Sequence, residues 1–187
     1  MEYKNRTYPL FSACGLNCGL CPRYHTDGIS KCPGCAGEGF SAVHPPCGVL
    51  SCSQRKGIEY CFLCDEFPCE KYDGADAFDS FISHKNQFKD LDKAKAIGLD
   101  GYMAEQKEKA EILRDLLNNY NDGRQKSFFC TAVNLLDLQD IRNVMIQIKK
   151  DTTPDEPVKE KSKAAVRLFQ IAADERNISL MLILISD

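Results

Sequence analysis

Residues 14–22 read Cys14-Gly15-Leu16-Asn17-Cys18-Gly19-Leu20-Cys21-Pro22, and they open a run that holds ten of the chain's eleven cysteines. The ten are Cys14, Cys18, Cys21, Cys32, Cys35, Cys47, Cys52, Cys61, Cys64 and Cys69. Three of the gaps, Cys18/Cys21, Cys32/Cys35 and Cys61/Cys64, are C-x-x-C. At that spacing a tight turn lets two thiolates converge on one metal ion, as in zinc ribbons and knuckles.

Composition changes near residue 72. Residues 1–72 hold eight of twelve glycines and six of eight prolines, but only thirteen Leu, Ile, Val or Phe. That is about 18%, a level at which a segment tends to lack a self-sufficient core, so it needs staples. A structural zinc contributes on the order of 10–16 kcal/mol of apparent folding free energy, comparable with a domain's net stability. From Cys14 to Cys69 the expected structure is therefore loops, knuckles and at most a turn of helix.

Beyond Cys69 the apolar pattern turns helical. Phe78, Phe81 and Ile82 share a face of a short helix. Leu91, Ala94 and Ile97 share another, which Gly98 can end. A stronger helix is predicted over 103–120 through Ile112, Leu113, Leu116, Leu117 and Tyr120, stopped by Asn121-Asp122-Gly123. Another covers 126–136, burying Phe129, Ala132, Val133 and Leu136. Asp137 reads as an N-cap for a helix with Leu138, Ile141, Met145 and Ile148 inward. A linker lies near 151–157, followed by an amphipathic helix through about 175 with Ala165, Leu168, Phe169 and Ala172 on its apolar face. Residues 178–186 read as a terminal strand, apolar on both faces. It would pair with the extended segment before Cys14 or with another subunit, which makes a homo-oligomer conceivable. The expected fold is α+β: an irregular, metal-stapled module at 1–72 packed on a mainly helical portion, 73–187, with that short strand.

Formal net charge is −3 with a pI near 5.7, so no overall basic field recruits nucleic acid or an anionic membrane. Side-chain charges within 1–72 cancel, and zinc held by four thiolates would leave about −2. A protein partner is expected before a nucleic acid. The first eight residues carry no apolar h-region, so no secretory signal is expected, and the run Leu180–Ile185 is too short to cross a bilayer. A cytoplasmic location follows, where clustered cysteines are ligands more often than disulfides.

Ten cysteines exceed the eight needed for two Cys₄ zinc sites, while a Zn₂Cys₆ cluster plus one Cys₄ site would use them all. Spacing does not choose between these or say which pairs share an ion. Zinc, in two or more ions, is the expected metal. The rival is an iron–sulfur cluster. Cys14-x₃-Cys18-x₂-Cys21 resembles the triplet of radical S-adenosylmethionine enzymes, which implies a 4Fe-4S cluster with one iron left open. A thiol sensor is the third reading. His25 and His44 could each replace a thiolate, and Cys130 is read as a small buried residue, with a reactive thiol near Arg124 and Lys126 as the alternative. No phosphate loop, HExxH, GxSxG or kinase set is present. The expectation is a structural or interaction protein without catalysis of its own, against a redox or radical enzyme.

The run 14–22, then Cys32-Pro33-Gly34-Cys35, then Cys61-Phe62-Leu63-Cys64-Asp65-Glu66-Phe67-Pro68-Cys69-Glu70-Lys71, resembles a family of small cysteine-rich bacterial and archaeal proteins catalogued as a domain of unknown function. The likeness covers residues 8–72 and, more loosely, the helical half. It implies a prokaryotic cytosolic protein whose cysteines coordinate metal, and it carries no substrate or reaction.

Overall fold

The computed structural model describes residues 6–184. Among them the regular elements are seven α-helices and four single 3-10 turns. The helices are α1 (Phe40–Val43), α2 (Gly48–Lys56), α3 (Gln87–Ile97), α4 (Leu99–Asn119), α5 (Lys126–Leu135), α6 (Leu138–Asp151) and α7 (Val158–Glu175). None is long and apolar enough to cross a membrane.

The helical half follows its periodicity. Leu113 and Leu116 of α4, Phe129, Ala132 and Val133 of α5, Ile141 and Ile148 of α6, and Ala165 and Phe169 of α7 are fully buried in one cluster. Their i, i+3/i+4 spacing puts them on one face of each helix. Burying each large side chain contributes about 1.5–3 kcal/mol. α6 packs on α7, α4 on α5 and α3 on α4. Gly98, at φ +80°, breaks the ladder between α3 and α4. Residues 152–157 form the connection expected there, closed by Thr152 Oγ1 donating to the Ile148 carbonyl (2.8 Å).

The α+β expectation does not hold, because no strand forms among the described residues; the sole bridge joins Phe11 and Asn17. Segment 178–184 forms no strand and bends at Met181, and 185–186 lie outside the described residues. Side chains satisfy the backbone groups that a neighbouring strand would have taken. Ile183 N donates to Asp79 Oδ2 (2.8 Å) and its carbonyl accepts from Asp79 N (2.6 Å). Lys85 Nζ donates to the Ser179 and Met181 carbonyls at 3.0 and 3.1 Å.

Three local expectations also change. Residues 78–82 are not helical, because Asp79 Oδ1 accepts from Ser83 Oγ (3.2 Å) and His84 N (2.7 Å), a side-chain alternative to the helix ladder. Asp137 holds the N-cap position of α6, its carbonyl accepting from Ile141 N (3.1 Å), but its carboxylate makes no capping bond and pairs instead with Lys89 Nζ at 3.0 Å. Within the cysteine region α2 runs nine residues, opened by Cys47 Sγ accepting from Leu50 N and closed by left-handed Gly57.

The cysteine-rich third shares its interior with the helices. Leu20 enters the helical core. Phe11, Tyr60 and Tyr72 pack with Leu91, Ala94 and Tyr102 in a second cluster, where Phe11 lies 5.4 Å from the Tyr60 ring and 4.9 Å from the Tyr102 ring. A third cluster, Ala13, Cys35, Phe40 and Leu50, is small and edged by further cysteines. The tyrosines add oil that a count of Leu, Ile, Val and Phe leaves out.

Candidate metal centre

The ten N-terminal cysteines line two cavities. Cys52, Cys61, Cys64 and Cys69 line one of about 280 Å³. Cys14, Cys18, Cys21, Cys32, Cys35 and Cys47 line another of about 370 Å³. Local backbone explains how each is delivered. Cys18/Cys21 and Cys61/Cys64 each flank a 3-10 turn closed in the same way, Cys21 N to Cys18 O (3.1 Å) and Cys64 N to Cys61 O (2.9 Å). Cys32 N donates to Arg23 O (3.0 Å), bringing the Cys32/Cys35 knuckle beside the first. Helix α2 splits the Cys47/Cys52 pair: Cys47, its N-cap, faces the larger cavity and Cys52, inside the helix, the smaller.

The two cavities abut. Cys61 N donates to the Ala13 carbonyl at 2.9 Å, so the backbones leading to Cys14 and Cys61 are tied together. Tyr72 lines the larger cavity with its ring buried, and its hydroxyl lies against Cys61. Among the described residues no three Cys, His, Asp or Glu side chains converge on one ion-sized position. The thiols ring open space instead of a point.

Burial pushes the Cys14 and Cys21 thiols above their ordinary range, and Cys18 well above it. Desolvation likewise takes Cys35 and Cys61 up to about 11. Neighbouring sulfurs add to the rise: Cys35 and Cys14 beside Cys18, Cys14 and Cys47 beside Cys35, and Cys14, Cys69 and Cys52 beside Cys61. A group of thiols that resist ionising one by one accepts a dication well, since the ion's charge replaces the protons.

Several donors already point at sulfur. Arg6 Nη1 donates to Cys35 Sγ (3.2 Å), with its guanidinium over the Tyr60 ring at 4.8 Å. Lys56 Nζ donates to Cys64 Sγ (3.4 Å) while pairing with Glu66 at 2.8 Å. Ser12 Oγ lies 3.1 Å from Cys14 Sγ. Counting charges over 1–72 gave cancellation and missed this placement. Spacing to a cysteine carries no signal for Arg6, Ser12 or Gln87, whose positions arise from chain reversal.

The histidines are engaged with oxygen. His25 Nε2 lies 2.8 Å from the Gly19 carbonyl, and His44 Nδ1 lies 2.7 Å from the Pro45 carbonyl while its ring stacks on Phe40. Cys130 is 1% exposed, and burial takes its thiol up to about 12, as a small core residue would have it. Lys126 donates to Thr26 Oγ1 (3.0 Å), while Arg124 N closes a turn on Asp122 Oδ1 (3.1 Å). All eleven cysteines are unpaired.

These features describe a helical protein whose first third is a cysteine-lined module. Residues 10–74 match the model of a family described as a protein of unknown function (DUF3795). No curated protein and no solved structure matches the chain.

Proposed function

We propose that this is a metal–thiolate protein in which zinc ions on the ten N-terminal cysteines hold the first third of the chain in shape, without catalysis of its own. The observation that carries the reading is the division of the thiols into four and six around two adjoining cavities. Four thiolates complete one tetrahedral zinc. Six suit a binuclear Zn₂Cys₆ cluster, which needs a wider cavity than one ion. The donor chemistry fits: soft sulfur, with hydrogen-bond donors in contact with it. Each cysteine can swing between staggered rotamers, so ions can draw in thiols that now stand apart. Each centre carries about −2 by ion and thiolate charge, which Lys56 offsets at the smaller and Arg6 at the larger. Eleven free thiols suit a reducing compartment such as the cytoplasm, and the charge balance favours a protein partner over nucleic acid.

A second reading has its own observation. Cys14, Cys18 and Cys21 line the larger cavity together, as an iron–sulfur cluster on that triplet with a redox role would require. The radical-enzyme version loses support, because its barrel needs alternating strands and helices.

Metal analysis of protein purified under reducing, anaerobic conditions tests this. The expected result is colourless protein with three zinc ions per chain. Cys61→Ser with Cys64→Ser should lose one, and Cys18→Ser with Cys35→Ser should lose two, with the helical circular-dichroism signal kept. Brown protein containing iron and sulfide would replace zinc with the cluster reading. Folded protein with no bound metal would end both.

A further inference from the structure

The larger cavity holds more than thiols. At about 370 Å³ it falls in the range of small-molecule sites, roughly 300–1,000 Å³. Zinc on the six cysteines would take part of that volume on the cysteine side, and a ligand would use what remains on the other. The remaining wall is aromatic and apolar, including Phe40, Val43, Phe78 and Phe81. Phe78 and Phe81, three residues apart, are 44% and 46% exposed and add apolar surface to that wall.

Two polar features give that space a chemical preference. Gln87, 6% exposed, lines the cavity at the start of α3. Its side chain lies beside Cys14, and its Oε1, closed off from solvent, has no hydrogen-bond partner. A buried acceptor left unsatisfied costs about 1–3 kcal/mol, so it calls for a donor. Arg23 is the second. Its Nη2 donates to the Val43 carbonyl (3.2 Å) and its guanidinium lies 4.6 Å from the Phe81 ring centroid, so it spans α1 and the 78–82 segment. One donated bond leaves most of its N–H groups available to an anion. Lys71, also on the lining, adds a second cation; Asp73 is the acidic side chain there.

We propose that this cavity binds a small aromatic anion that also carries a hydroxyl or amino donor. The ring lies against Phe78 and Phe81, the anionic group meets Arg23, and the donor meets Gln87 Oε1 once that side chain turns into the cavity. The inference rests on the zinc reading only in taking the cysteine side as the cavity floor.

The test titrates the metal-loaded protein with 6-hydroxy-2-naphthoate, 2-naphthoate and 2-naphthylmethylamine, following the protein by NMR and measuring metal content in the same sample. The hydroxylated acid should bind one to one, shifting Phe81, Val43 and Gln87 resonances. 2-Naphthoate should bind about tenfold more weakly, the worth of one hydrogen bond to a buried acceptor, and the amine not detectably. In Gln87→Met the two acids should bind alike, which also shows that the variant is folded. Arg23→Met should weaken both. No binding of either acid, equal binding of the two acids by the unaltered protein, or equal binding of acid and amine would overturn the proposal. Absence of metal in that sample would instead count against the zinc reading, leaving the ligand result to be judged alone.

Discussion

Gly15 shows how tightly single positions are specified at the cysteine module. Its φ is +95°, and a Cβ there would sit 2.6 Å from both the Gln87 carbonyl oxygen and Leu91 Cγ. Conformation and space both demand glycine, so the loop between Cys14 and Cys18 can touch α3. Gly15→Ala should destabilise the folded protein by about 2–4 kcal/mol, read from chemical denaturation. A loss below about 0.5 kcal/mol would show that α3 yields at no cost. A second constraint lies just behind. Asn17 Nδ2 donates to Asp90 Oδ2 (2.9 Å), Tyr102 donates to Asn17 Oδ1 (3.0 Å), and buried Lys109 donates to the Leu136 carbonyl (2.7 Å). Burial pushes the Asp90 carboxyl up to about 6 and brings Lys109 down to about 8. Lys109's folded value lies below its unfolded value of about 10.4. Its contribution to stability is therefore fully present above that pH and lost as pH falls toward 8. Asp90 holds the Lys109 value up, so Asp90→Asn should lower it further, as seen in the Nζ resonance against pH. An unchanged or raised value would deny the coupling. None of this network was legible beforehand. Asn17, Asp90 and the α4 residues Tyr102 and Lys109 come from three separate stretches of the chain, and polar residues in apolar stripes give no sign of which partner will satisfy them.

At the scale of elements, α4 to α7 were readable because each has long, regular apolar spacing that only a helix can bury on one side. The short segments were not, because side chains there outbid the local pattern. Phe78, Phe81 and Ile82 have helical spacing, yet Asp79 takes the amide of His84 for its own carboxylate. The same carboxylate receives Ile183 N, which turns an apolar tail into a tethered segment instead of a strand. Asp79 is 6% exposed and serves both segments, so Asp79→Ala should cost about 2–4 kcal/mol and raise amide exchange at His84 and Ile183 together. Exchange rising at only one of them would separate the two contacts. α2 was missed for a related reason. Its N-cap is a cysteine, a residue whose spacing points first to metal, although Gly57 at its end and Arg55-Lys56 in its last turn are signs of a helix stop.

At the scale of the whole molecule, the cysteine spacing singles out ten clustered thiols, but not their division between the two cavities. Cys47 and Cys52 are close in the chain, and only the direction of α2 sends them to different cavities. The aromatic cluster of Phe11, Tyr60, Tyr72 and Tyr102 joins the module to the helices and supplies some of the core that composition said was missing. What that cluster does not reach is the stretch around Cys32, Cys35 and Cys47, whose own interior is Ala13, Cys35, Phe40 and Leu50. There the proposed ions would do most of the holding.

The most direct measurement is a residue-resolved NMR spectrum of reduced protein before and after a zinc chelator, with released metal counted. The account expects three ions to leave and amides between Cys14 and Cys69 to collapse toward random-coil shifts, while α4 to α7 stay dispersed. A spectrum in which residues 14–69 remain fully dispersed after every ion has gone would contradict it.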